Sequence, residues 1–149
     1  MNQHWIEKMI PDSDTCIALH TMGFRPRGTT FVWVDMGLID HATEEPILHP
    51  MRYTEMVQGR YFPAPTAEEF QSILPVNFFP MRVKEGVWFI CDLYGSKMSE
   101  QKNSDEKSVV AGTNALVLSR VNGSTAKTAA QAFANAVIFL IQSGALKAE

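Results

Sequence analysis

From Thr128 to Leu146 the chain carries no charged residue. A run of that kind must either be covered by the rest of the fold or lie in a membrane. Wound as a helix at about 100° per residue, Ser124, Lys127, Gln131, Asn135 and Gln142 fall on one narrow side. Ala126, Ala129, Ala130, Phe133, Ala136, Val137 and Leu140 fall opposite. Asn122-Gly123 forms a turn, after which Ser124 or Thr125 is placed to cap the helix, and Gly144 is placed to close it. The helix therefore reads as Ser124 to Gly144, with Gln131 on the solvent side. Its alanines let the axis approach a sheet closely. A membrane span needs roughly 20 apolar residues, and the amides Gln131, Asn135 and Gln142 interrupt this run on one side. Ile138 and Phe139 sit near the polar side, either as scattered surface apolars or as part of a self-association surface.

The remaining chain is expected to cover that helix. At 149 residues, 46% of them hydrophobic and 19% charged, it fits one α+β domain spanning 1–149. Such a domain buries about 68–70% of its unfolded surface. Formal net charge is −3, and Lys84, Lys97, Lys102 and Lys107 are dispersed among acids. A binder of nucleic-acid backbone shows a basic stripe, and the linear sequence has none. Neither nucleic acid nor membrane is expected as a partner. The residues from Met1 to Lys8 lack the basic-then-apolar order of a secretory signal, so a cytoplasmic location is expected. Cys16 and Cys91 have apolar neighbours and read as buried, reduced thiols, with a disulfide as the alternative.

Short helices are expected over Met1 to Ile10 and from Asp12-Ser13-Asp14 through about Met22. Thr29 to Met36 reads as a strand, with Phe31, Trp33 and Asp35 on one face. From Gly37 to Arg60 the pattern is weak. Two prolines and several polar residues mark a loop, with Met51 to Val57 as a second strand. Thr66 and Glu69 form a capping box ahead of Phe70, Ile73 and Leu74, and Pro75 stops that helix. On this reading Thr66→Ala costs about 0.5–2 kcal/mol, and Glu69→Ala costs less. Asn77 to Val83 is a strand that Pro80 confines to an edge. Val87 to Tyr94 is the clearest strand, Gly95 to Lys107 is a polar loop, and Ser108 to Val121 contains a further strand. The fold class is α+β: a mostly antiparallel four- to five-stranded sheet packed by the long C-terminal helix, with two or three short helices.

The stretch from Phe62-Pro63-Ala64-Pro65-Thr66-Ala67-Glu68-Glu69-Phe70 to Leu74-Pro75 resembles a segment of small proteins encoded by bacteriophages, prophages and mobile elements. In those proteins a capped short helix ends at Leu-Pro, hydrophobic strands follow, and an alanine-rich helix closes the chain. Thr15-Cys16-Ile17-Ala18-Leu19 up to Gly23-Phe24, with Phe31-Val32-Trp33-Val34 after it, is similar to their upstream half. The chain departs from them over Gly37 to Arg60 and Gly95 to Lys107. The resemblance implies a fold and a genomic setting, and no catalytic residues.

Asp35, Asp40, His41, Glu44, Glu45 and His49 form the densest polar cluster. Carboxylates with imidazoles suit a divalent metal, but no HxH, HExxH or calcium-loop spacing supports one, and a solvated loop competes. His4 and His20 stand isolated and read as surface or partly buried histidines. There is no GxSxG, GxGxxG or GxxxxGK[ST]. Phe31, Trp33, Trp88 and Tyr94 would share one sheet face if their strands pair. Such a face is core beneath helices, a partner surface, or a base-stacking platform that here lacks basic neighbours. With Ile138 and Phe139, these aromatics are the candidate partner-binding residues. The expected function is a non-enzymatic, phage-like accessory or protein-interaction protein, its own copy among the partners, without cofactor or catalytic residue. The alternative is a small metal-dependent enzyme using the acidic and histidine-rich loop around residues 35–49.

Overall fold

The computed structural model describes residues 4–55, 58–75, 77–92, 109–111 and 116–147. The fold is α+β, with antiparallel strands and a C-terminal helix. In chain order the elements are α1 (His4–Glu7), α2 (Ser13–Thr21), β1 (Phe31–Ile39), β2 (Pro46–Arg52), β3 (Arg60–Ala64), α3 (Ala67–Ile73), β4 (Phe78–Lys84), β5 (Val87–Asp92), β6 (Val109–Ala111), β7 (Leu116–Arg120) and α4 (Ala129–Gln142). A 3₁₀ turn, Tyr53–Glu55, follows β2. The expected loop from 95 to 107 lies outside the described residues.

The strands divide between two sheets rather than joining in one. The first is ordered β2-β1-β3 and the second β4-β5-β7-β6. One of the first sheet's strands, β2, falls in the section whose pattern looked weak, where Pro46 and Pro50 suggested a loop. Strand β3, which carries Pro63, begins at the last residue of that section. Both strands flank β1 at the sheet's edges, where a residue without an N–H is tolerated. The second strand is therefore Pro46–Arg52 rather than Met51 to Val57. Pro80 likewise sits on β4, at the end of its sheet.

Helix α3 carries the chain from one sheet to the other. Its capping box is formed as expected: the Glu69 N–H donates to Thr66 Oγ1 at 3.2 Å, and the Thr66 N–H donates to Glu69 Oε1 at 2.9 Å. The second carboxylate oxygen does more. Glu69 Oε2 accepts from the Thr30 N–H at 3.0 Å and from Thr30 Oγ1 at 2.7 Å, which pins α3 to the start of β1.

Helix α4 begins at Ala129 with Thr128 as its cap, not at Ser124 or Thr125. The cause is long-range. Ser124 is buried, donates to the Val121 carbonyl at 2.7 Å and accepts from the Ile90 N–H at 3.0 Å. Ala126 and Trp88 exchange two backbone hydrogen bonds, 2.7 and 2.8 Å. Residues 124–126 thus run along β5 and satisfy backbone groups that a helix there would leave open.

The buried residues of α4 are Ala130, Ala132, Phe133, Ala134, Ala136, Val137 and Leu140. That band is wider than one face, because α4 packs on α2, α3 and the second sheet together. Gln131 is not on a solvent face. Its Oε1 accepts from the Asp12 N–H at 2.8 Å, and its Nε2 donates to Thr15 Oγ1 at 2.9 Å and to Asn135 Oδ1 at 3.0 Å. The amide side of α4 therefore faces the start of α2.

The larger core joins Leu19, Phe70, Leu74, Phe78, Ile90 and Val121 to the α4 residues. Three phenylalanines stack through it: Phe24 on Phe70 at 6.1 Å and Phe70 on Phe133 at 5.7 Å, with interplanar angles of 12° and 14°. A smaller core gathers Ile6, Ile10, Cys16, Phe31, Trp33, Phe62 and Ala64 over the first sheet.

Candidate functional site

The end of α2 and the first sheet enclose the site. Helix α2 ends at Thr21 with Met22 as its C-cap, and Gly23 follows with φ 96°, a conformation that suits glycine. The chain then turns across the sheet. The Phe24 N–H returns to the Leu19 carbonyl at 2.9 Å, and Arg25 Nε donates to the His20 carbonyl at 3.3 Å. Arg27 and Gly28 follow, and buried Thr29 donates to the Phe31 carbonyl at 3.0 Å as β1 begins. The opposite wall comes from Tyr53 and from Gly59, Arg60 and Tyr61 at the start of β3. Gly59 lies hard against β1: a Cβ there would stand 2.9 Å from the Asp35 carbonyl oxygen. Only a residue without a side chain lets this wall close.

The result is a cleft of about 670 Å³ whose polar lining is basic and aromatic: His20, Arg25, Arg27, Tyr53, Arg60 and Tyr61. Among the described residues, no carboxylate lines it. Among the described residues, Arg25, Arg27 and Arg60 enter no ion pair; the ion pair seen there, Arg52 with Glu55 at 3.9 Å, lies outside the lining. Phe62 organises two members. Arg60 stacks over its ring at 5.2 Å, and His20 meets it edge-on at 5.2 Å. The His20 imidazole is held below its ordinary pKa, first by desolvation and then by repulsion from Arg25 and Arg60. Tyr53 and Tyr61 meet edge-to-face at 5.9 Å, with 48% and 40% of their surface exposed.

These groups suit recognition of an anion. Guanidinium forks match carboxylate or phosphate. Cys16 and Cys91 lie elsewhere, free and buried. Burial, and then the charge of Asp12, push the Cys16 thiol well above the usual range. Burial pushes Cys91 up to about 11, Arg120 opposing and Asp92 adding to it. Neither is a thiolate near neutral pH.

The residues singled out from sequence fall elsewhere. Asp35 accepts from the Gly37 N–H and Asp40 from the Ala42 N–H, shaping the hairpin between β1 and β2. His41, Glu44 and Glu45 are exposed in its turn, and His49 is half-buried on β2 opposite Val34. Among the described residues no group of three His, Cys, Asp or Glu side chains is arranged to hold a metal ion. The common aromatic face does not form. Phe31 and Trp33 are in the smaller core, where Trp33 Nε1 donates to the Pro11 carbonyl at 2.9 Å. Trp88 is half-buried in the other sheet, and Tyr94 lies outside the described residues. The strands do not pair as that face required, because β1 and β5 belong to different sheets. Ile138 and Phe139 are half-buried against the larger core.

The basic cleft was not visible in the sequence. Arg25 and Arg27 fall in the short link between the second helix and the first strand, and Arg60 lay in the section without pattern. No helix among the described residues is long and apolar enough to cross a membrane. The chain matches no family model, no curated protein and no solved structure.

Proposed function

We propose that this chain is a non-enzymatic accessory protein that works by binding, and that the basic cleft receives an anionic group of its partner. One observation carries the reading: three guanidiniums and an imidazole converge on one cleft with no lining carboxylate among the described residues, in a chain of net charge −3. Like charges gathered without partners repel one another, and a bound anion relieves that cost. Three charge-assisted contacts at about 1.5 kcal/mol each correspond to roughly millimolar affinity for a small anion. A partner that also fills the cleft would bind more tightly. The separate, free and buried thiols suit a reducing compartment, so the cytoplasm is the proposed location.

Pyrophosphate titrated calorimetrically at low ionic strength tests the reading. Binding should weaken as salt is added, and it should be lost when Arg25 and Arg60 are both replaced by alanine. Equal binding by that double variant would rule the cleft out as the site.

A further inference from the structure

Resting on the anion-binding reading of the cleft, we infer that its ligand is a nucleoside phosphate: a flat base joined to a phosphate, met as a free nucleotide or as one unit of a single strand. The argument begins with the tyrosines. A receptor for a bare anion needs only donors, yet Tyr53 and Tyr61 stand exposed on the same cleft as the arginines. Their edge-to-face contact holds each ring without covering both of its faces. A base offers the matching partner, since it stacks on an aromatic ring whatever its sequence.

Size points the same way. A cleft of about 670 Å³ is in the range that holds a whole organic ligand, roughly 300–1,000 Å³. Inorganic phosphate would occupy only a corner of it.

The cations are also held ready. Arg60 is stacked on the buried Phe62, and Arg25 is tied to the His20 carbonyl. Each keeps outer guanidinium donors for a phosphate oxygen. The exposure of Arg27, Arg60 and Tyr61 leaves the cleft open to solvent, so a strand can run on past the bound unit. A duplex cannot bind in this way, because its bases are already stacked on one another.

Calorimetry and fluorescence anisotropy at low salt test the inference. The probes are pyrophosphate, AMP, a short thymidine oligonucleotide as single strand and as duplex, and a phosphoserine peptide of equal charge. AMP or the single strand should bind roughly tenfold more tightly than pyrophosphate. Tyr53→Ala and Tyr61→Ala should remove most of that gain, lowering affinity for AMP and the strand far more than for pyrophosphate, while Tyr61→Phe retains it. Arg60→Ala should weaken every probe. Tight AMP with no gain from the strand identifies a free nucleotide; a tighter strand, with log K falling by about 0.7 per phosphate contact against log salt, identifies nucleic acid. If neither AMP nor the strand binds better than pyrophosphate, if the phosphopeptide binds as tightly as they do, or if the tyrosine variants change nothing, the nucleoside inference is overturned and the anion reading stands. If pyrophosphate also fails to bind, both fall.

Discussion

Replacing Glu69 with alanine should destabilise the protein more than replacing Thr66, the reverse of what a capping box alone implies. Thr66→Ala removes one side-chain acceptor from the first turn of α3, a loss of about 1 kcal/mol. Glu69→Ala leaves three donors without their partner: the Thr66 N–H, the Thr30 N–H and the Thr30 hydroxyl. Hydrogen bonds to a charged group are worth about 1.5–3 kcal/mol each when water is kept out. Thr30 is exposed and Glu69 only half-buried, so water recovers part of each, and about 0.5–1 kcal/mol apiece is the appropriate scale. The sum is about 1.5–3 kcal/mol. Glu69→Gln should fall between wild type and the alanine variant, because an amide keeps one acceptor oxygen where both carboxylate oxygens are in use. Urea melts give the ranking, provided the m-value is unchanged. A cycle between Thr30→Ala and Glu69→Ala should show coupling, since the two residues touch. If Glu69→Ala costs no more than Thr66→Ala, or if the cycle is additive, the clamp between α3 and β1 contributes nothing.

Gln131→Leu should cost about 1.5 kcal/mol, since it removes three hydrogen bonds, to the Asp12 N–H, Thr15 Oγ1 and Asn135 Oδ1, each worth about 0.5 kcal/mol where water can reach, whereas Lys127→Leu at an exposed position of the preceding segment should stay within about 0.5 kcal/mol in the same melts. Ellman titration should find almost no reactive thiol in the native protein and two in denaturant, since Cys16 and Cys91 are both buried; rapid labelling of native protein would contradict that burial. His20, its pKa lowered in the free protein by desolvation and by Arg25 and Arg60, is neutral at pH 7, and an anion in the cleft favours its protonated form. Affinity for sulfate, whose own charge does not change in this range, should therefore rise as pH falls from 7 toward 5. His20→Gln, with Arg25, Arg27 and Arg60 left in place, should flatten that dependence.

Features set by near neighbours were legible in the sequence. Thr66 and Glu69 are three residues apart and share one turn, so their reciprocal bonds needed no tertiary information. The alternation along β5 was equally local: Ile90 faces the larger core, while Phe89 and Cys91 form a cluster of their own. What escaped depended on distant partners. Ser124, Thr125 and Thr128 are all competent caps, and the Ile90 N–H decides among them by engaging Ser124 in another role. Gln131 looked like a surface amide until α2 came to rest against it. The cleft needed Arg60–Ala64 to be recognised as a strand, and only its pairing with β1 marks it as one. Only then does Arg60 stand beside residues from the end of α2.

The stack of Phe24, Phe70 and Phe133 sets the tempo of the cleft. Phe24 immediately precedes Arg25, so the arginine-bearing turn cannot swing away without pulling a ring out of the larger core. A free surface loop moves in nanoseconds to microseconds. This one is tied to the slower, sub-global openings of the helices beneath it. For the proposed anion the arginine-bearing wall is already in place, so its capture should be governed by diffusion and long-range attraction rather than by rearrangement of that turn. The Phe24 amide, bonded to the Leu19 carbonyl, should exchange its hydrogen at the pace of that core.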